Sequence, residues 1–313
     1  MEALLARYPG LAALPRVDLG VRPTPVEERT IAGQRVLVKR DDLTSPRYGG
    51  NKVRGLQFLL AGPARRVLTF STLSAYHALA TALHGAALGK EVRVVLLRWG
   101  RRGPAAAALA AMGARVLEAR TRAGALLAAA RLWRPGTLVV PPGGLSVRGA
   151  VGYAAAAFEI PEVPPRIYLP LGTGATASGL LAGLMLRGAE TEVVGVRTVP
   201  TLFVRPAAIR RRARRVIRFL RRFDPTVPDV RETAVRLRVV PAEGEYGEVT
   251  PAAVAARKAA RPLMLETTYS AKALAVLLAE CSPIRGRCKL VNFPGRAPPG
   301  ETAMFLLTCP GTL

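Results

Sequence analysis

Cysteine is scarce in this chain, and its three copies, Cys281, Cys288 and Cys309, are odd in number and lack metal-ligand spacing. That argues against a disulfide framework or a zinc site, and a reducing, cytoplasmic setting is the expectation. Histidine occurs twice and aromatic residues make up 5% of the sequence, a poor endowment for stacking on nucleic-acid bases. No window long enough to cross a bilayer is free of charge and proline, so no membrane partner is expected. Residues Met1 to Leu14 lack a basic segment followed by a long apolar core, which predicts that they are not a signal peptide. Internal repeats and long linkers are missing too. Lysine is the last shortage: 40 of the 46 basic residues are arginine, against 21 acidic ones, giving a formal net charge of +25.

What the chain does have is apolar mass. With 313 residues and 50% hydrophobic content, it can bury a large core and is expected to form two lobes. Runs such as Val92 to Leu97 and Val193 to Val196 read as buried parallel strands. Alanine-rich stretches between them, Ala78 to Leu88 and Ala105 to Met112, read as helices. Strands alternating with helices predict a doubly wound α/β architecture.

The surplus charge is densest from Arg205 to Arg222. On a helix, Ile209, Ala213, Val216, Ile217 and Leu220 share one side and arginines cover the rest. Such a face suits an anionic membrane or a nucleic acid. It is equally what a GC-rich coding sequence would give, and only Phe219 and Phe223 interleave it. No specific nucleic-acid function is expected, although salt-sensitive retention on polyanions is.

Three segments carry chemistry. Gly49-Gly50-Asn51-Lys52 sets a lysine after a glycine turn at a predicted helix start, a suitable position for carrying a carbonyl cofactor as an imine. The preceding Lys39-Arg40-Asp41-Asp42 would end a strand and tie the loop down. Taken alone, Lys52 reads as a solvated first-turn lysine; the other two segments change that reading. Leu171-Gly172-Thr173-Gly174-Ala175-Thr176 follows the apolar run Ile167 to Leu171 and precedes a helical stretch to Leu186. Strand, glycine turn and helix together aim backbone N–H groups at an anion. No lysine follows in the Walker position, so a nucleoside triphosphate fits poorly. A tight turn with no ligand is the other reading. The third segment, Pro141 to Tyr153, is rich in glycine, reads as too small-residued for core packing, and is expected to line a ligand-facing bend.

In this order and spacing, and with Glu266-Thr267-Thr268-Tyr269-Ser270-Ala271-Lys272 near the end, the chain resembles the fold-type II pyridoxal-phosphate enzymes. The similarity runs from about Leu14 to Gly300 and is greatest to the D-cysteine desulfhydrase and 1-aminocyclopropane-1-carboxylate deaminase branch. The resemblance implies a two-lobed α/β fold of the tryptophan-synthase-β type, each lobe a mostly parallel twisted sheet flanked by helices. Residues 1–54 with 156–313 would form the larger lobe and 55–155 the smaller, with the active site in the cleft. It also implies pyridoxal 5'-phosphate as cofactor, held on Lys52 as a Schiff base, a small amino acid as substrate, and a homodimer. Gly172, Thr173, Gly174, Ala175 and Thr176 would hold the phosphate, which requires Ala175 to keep a negative φ. Tyr269 would assist proton transfer or hold substrate, unless it is a core tyrosine with a satisfied hydroxyl. Ser270 would lie near the pyridine nitrogen, and Tyr246 on the substrate side.

Three departures from the family pattern stand out. Its G-G-x-Q-S-N-H segment here reads Ser71-Thr72-Leu73-Ser74-Ala75-Tyr76-His77, so Ala75 replaces a substrate-contacting serine and Tyr76 an asparagine that supports the cofactor. Ser74, Tyr76 and His77 remain candidates for substrate contacts, though a histidine at this position also reads as a packed one. A polar turn near the C-terminus is replaced by Pro294, which has no N–H to donate. Two functions follow: a lyase or deaminase of altered preference, or a non-enzymatic small-molecule-binding descendant of the fold.

Overall fold

The computed structural model describes residues 1–72, 76–98, 108–109, 111–200 and 204–281, with the backbone of 303–306. Strand β1 (Val26–Ile31) turns through Ala32-Gly33, both at positive φ, into its antiparallel partner β2 (Gln34–Lys39). A two-residue turn of that handedness matches the twist of the strands it joins. Strands β3 (Arg66–Thr72), β4 (Glu91–Leu97), β5 (Arg115–Ala119) and β6 (Thr137–Val140) make one parallel sheet in the order β5-β4-β3-β6. Strands β7 (Arg166–Leu171), β8 (Glu192–Arg197), β9 (Arg236–Pro241) and β10 (Ala303–Leu306) join the hairpin in a second sheet, β1-β2-β10-β7-β8-β9. Every pairing in it except the hairpin is parallel. The fold is therefore α/β, with two helix-flanked, mostly parallel sheets.

The apolar runs behave as their composition dictates. Val92 to Leu96 and Ile167 to Leu171 are buried throughout, as strands covered on both faces must be. The predicted helix from Ala78 forms as His77–Ala87; of its neighbour at 105–112, only 108–109 and 111–112 are among the described residues.

Between the sheets lie three helices that matter for function. The lysine helix, Asn51–Leu59, has eight of its nine residues buried, Lys52 being the exception. It packs on the helix Val147–Phe158, which packs in turn on the cup helix, Ala175–Leu186. These contacts overturn one expectation from the sequence. The glycines of 141–153 were read as too small for core packing, yet Gly152 is core packing. A Cβ on Gly152 would sit 1.9 Å from the Arg54 carbonyl oxygen, and one on Gly179 would sit 2.1 Å from that of Ala150. Glycine at these positions lets the helix backbones touch.

The arginine helix, Pro206–Leu220, buries the five residues expected from its period: Ile209, Ala213, Val216, Ile217 and Leu220. Arg210, Arg211, Arg214, Arg215 and Arg218 are exposed. Among the described residues no helix is long and apolar enough to cross a membrane, and no cluster of three or more His, Cys, Asp or Glu is arranged to hold a metal.

Candidate active site

Lys52 owes its position to what surrounds the turn before it. Strand β2 ends at Lys39, and Asp41 accepts the Gly50 N–H through its backbone carbonyl at 2.8 Å. Thr44 Oγ1 donates to the Gly50 carbonyl at 2.9 Å. Below the turn, Arg54 donates to Asp41 at 2.8 and 2.9 Å and to Glu159 twice at 2.7 Å. Lys39 Nζ donates to Glu159 at 2.7 Å and contacts Thr24. All four charged side chains are at least 97% buried. Burial alone would raise the pKa of Glu159, but Arg54, and then Lys39, bring it down to about 2. This ion cluster fixes the first turn of the lysine helix and leaves Lys52, half-buried, at its second position.

The cup lies beside it. Gly174, at φ 79°, is the N-cap of the cup helix and brings no side chain to its first N–H groups. That backbone conformation is one that glycine adopts without strain. Ala175 has negative φ, the only non-glycine exception among the described residues being Ala32. Asn51 Nδ2 donates to Thr176 Oγ1 at 2.8 Å, so the first residue of one helix is bonded to the second residue of the other. Two positive helix ends thus share one corner. Gly143 abuts the Thr173 side chain, so the bend at 141–144 does flank the cup.

A hydroxyl chain lines another side. Thr72 Oγ1, at the end of β3, is 2.8 Å from Tyr246 Oη, which is 2.9 Å from Tyr269 Oη. The two rings meet edge to face with centroids 5.9 Å apart. Tyr269 also lies over Gly172, where a Cβ would come within 3.3 Å of its ring. Tyr269, Tyr246 and the cup are therefore contiguous. Lys272 Nζ, donating to the Glu245 carbonyl at 2.8 Å, steadies the loop that carries Tyr246.

Ser270 is fully buried, and its hydroxyl is turned onto Glu266, whose carbonyl and carboxylate it meets at 3.2 Å. Tyr76 is half-buried at the start of the His77–Ala87 helix. His77 is buried, with Nε2 3.3 Å from Thr69 Oγ1. Burial, and then the charge on Lys52, push its pKa down to about 3, so it is neutral at physiological pH. Ser74, Ala75 and Pro294 lie outside the described residues.

Two contributors were missed in the sequence. Glu266 accepts from the backbone N–H groups of Thr268, Tyr269 and Ser270 at 2.6–2.8 Å, locking the turn that presents Tyr269. An acidic residue just ahead of a helix meets the positive end of its dipole, a signal that the sequence carries. Asn51 reads in the sequence only as part of a turn. Its bond to Thr176 spans 125 residues, and no local pattern announces that.

The corner fits the cofactor implied by the resemblance. Among the described residues, Asn51 Oδ1, Ser71 Oγ and His77 Nδ1 are buried without a hydrogen-bond partner. Each such orphan costs about 1–3 kcal/mol. Turning the Asn51 amide over would let Thr176 donate to its oxygen and leave its N–H groups to be satisfied by a ligand. A phosphorylated ring with a polar substituent would meet the need at Asn51, and Lys52 and residues 172–176 would hold its two ends.

Comparison with known proteins agrees. Residues 17–295 match the family described as "Pyridoxal-phosphate dependent enzyme". The chain is 34% identical over 304 residues to nocardicin C-9' epimerase of Nocardia uniformis subsp. tsuyamanensis, covering 88% of this chain and 91% of that protein. It is 30% identical over 221 residues to D-cysteine desulfhydrase of Serratia proteamaculans, covering 59% of this chain and 65% of that one, under two thirds of its length. The crystal structure of an ACC deaminase homologue superimposes with a TM-score of 0.78 at 27% identity, covering 100% of this chain and 97% of that one. The match along most of the chain, on a fold that brings Lys52 to a glycine cup, makes this protein a member of the pyridoxal-phosphate dependent enzyme family.

Proposed function

We propose that the protein is a pyridoxal-phosphate-dependent lyase or deaminase acting on a small amino acid, with Lys52 as the residue that carries the cofactor and moves the proton at Cα. The observation behind this reading is the shared corner of the two helix ends, joined by the Asn51–Thr176 bond beside Lys52. Bound pyridoxal phosphate supplies an electron sink for the pair left when a bond to Cα breaks. Lys52, once freed by substrate, acts as base at Cα. Residues Gly172 to Thr176 fix the phosphate, and Tyr269, supported by Tyr246, holds or donates a proton at the substrate's leaving side. His77, neutral and buried, orients rather than ionises.

A second reading has its own support. The nocardicin epimerase relative matches over 91% of its length, and Ala75 takes the position of the serine that the desulfhydrase and deaminase pattern uses. Under that reading the proton returns to the opposite face of Cα and no bond to a leaving group breaks. Family membership and the intact lysine corner disfavour the non-enzymatic alternative.

Product analysis of D-cysteine, aminocyclopropane carboxylate and a panel of D- and L-amino acids in D2O separates the two. Keto acid with ammonia identifies the lyase or deaminase. Deuterium at Cα with loss of optical purity and no keto acid identifies the epimerase. Inertness toward every amino acid by a protein that binds the cofactor would remove both. Under the lyase reading, Ala75→Ser with Tyr76→Asn is expected to raise desulfhydrase or deaminase turnover. Tyr269→Phe is expected to keep the cofactor band and lower kcat by roughly 10²-fold; an unchanged kcat would return Tyr269 to a packing role.

A further inference from the structure

Arg212 is the arginine of its helix that faces inward. Its neighbours Arg211, Arg214 and Arg215 are exposed, whereas it is half-buried against the cup helix. Its Nη1 donates to Ser178 Oγ at 3.1 Å. Ser178 is completely buried, and its hydroxyl donates to the Gly174 carbonyl at 2.7 Å. A Cβ built on Gly174 would lie 3.7 Å from the same Nη1, so the guanidinium sits directly behind the turn of the cup. Among the described residues no carboxylate forms an ion pair with it. Burial, and then the charges of Arg215 and Arg211, push its pKa down.

An arginine held partly out of water, beside like charges and without an acid, is unfavourable unless something repays the desolvation. The peptide group that accepts the Ser178 hydroxyl offers a route. The carbonyl of Gly174 and the N–H of Ala175 belong to one amide. A hydroxyl bond to that oxygen, itself polarised by a guanidinium, draws density from the amide and strengthens the N–H as a donor. That N–H opens the cup helix, on the side where an anion would be held.

We propose that Arg212 is a positioning residue for the cofactor's phosphate, acting through Ser178 and the Gly174–Ala175 peptide without touching the ligand. The inference rests on the reading of residues 172–176 as the phosphate cradle, and it adds a second layer to that cradle. It also accounts for one polar side chain on the buried side of an otherwise apolar helix face.

The test compares two aldehydes that differ only in the phosphate. Apparent dissociation constants for pyridoxal phosphate and for pyridoxal are measured by visible absorption titration of the parent, Arg212→Met, Arg212→Lys and Ser178→Ala. Arg212→Met keeps length and apolar contact and removes charge and donor. It is expected to weaken pyridoxal phosphate at least 10-fold and pyridoxal less than twofold, with Arg212→Lys in between. Ser178→Ala, which deletes one buried oxygen, is expected to weaken pyridoxal phosphate severalfold with the same selectivity, and it serves if Arg212→Met fails to fold. Equal losses for both aldehydes would mean that Arg212 merely packs, and unchanged affinity in both variants would remove its role. A parent that does not discriminate between the aldehydes would sink the cradle reading itself, and this inference with it. A parent that discriminates while the variants do not differ from it sinks the inference alone.

Discussion

Lys52→Ala is expected to abolish the visible band that the parent develops with pyridoxal phosphate and to slow turnover by about 10²- to 10⁴-fold. The two losses have different causes and are separable. The band needs an amine at that position; turnover needs the same amine a second time, as a base at Cα. The cup is built from other residues, with Asn51–Thr176 and Gly174 untouched by the substitution. Non-covalent binding of the cofactor should therefore persist, visible as a free-aldehyde spectrum that stays with the protein through gel filtration. Added methylamine should restore part of the turnover, because a small amine can occupy the space that the side chain vacated. A parent-like band in Lys52→Ala would assign the attachment elsewhere among the six lysines of the chain. Lys39 and Lys272 are poor substitutes, since their ammonium groups are buried on Glu159 and on the Glu245 carbonyl. Loss of the cofactor altogether would mean that the cup contributes little by itself.

Much of this architecture was legible before any coordinates. Apolar runs of four to six residues gave β4, β7 and β8, because strands covered on both faces carry no polar alternation. The five buried apolar positions of the arginine helix were legible, since a 3.6-residue period needs no tertiary knowledge. The turns before the lysine helix and the cup helix were legible because glycines cluster where a chain must bend sharply. What failed to show was long-range. Gly152 reads as part of a ligand-facing bend, yet it serves a helix contact with Arg54, as Gly179 does with Ala150, and a partner's backbone leaves no mark in the local sequence. Thr72, Tyr246 and Tyr269 come from three separate stretches, and their hydroxyl chain exists only after folding. Arg212 was counted with its exposed neighbours, because composition cannot tell which arginine of a run turns inward.

The buried ion cluster carries the largest stability effect. Arg54→Met removes the guanidinium that serves both Asp41 and Glu159, leaving two buried carboxylates with Lys39 as the only buried side-chain cation paired with them among the described residues. Breaking such a pair by deleting one partner costs about 3–5 kcal/mol, and urea unfolding should read that loss. Because Asp41 also holds Gly50, the variant should bind the cofactor more weakly than its residual fold predicts. Acid should expose the same cluster. Glu159 has a folded pKa of about 2 against an ordinary 4.5, so the unfolded chain binds its proton first. Its stabilisation is complete above pH 4.5 and is lost as pH falls toward 2, amounting to about 3 kcal/mol. His77, with a folded pKa of about 3 against 6.5, acts in the same direction but begins at higher pH. Glu266, whose pKa burial raises, opposes both. Stability should thus decline in two stages, the first below pH 6.5 and a steeper one below 4.5. Glu159→Gln should be less stable at pH 7 and should flatten the second stage while sparing the first. A variant that keeps both slopes would show that Glu159 is not the group being protonated.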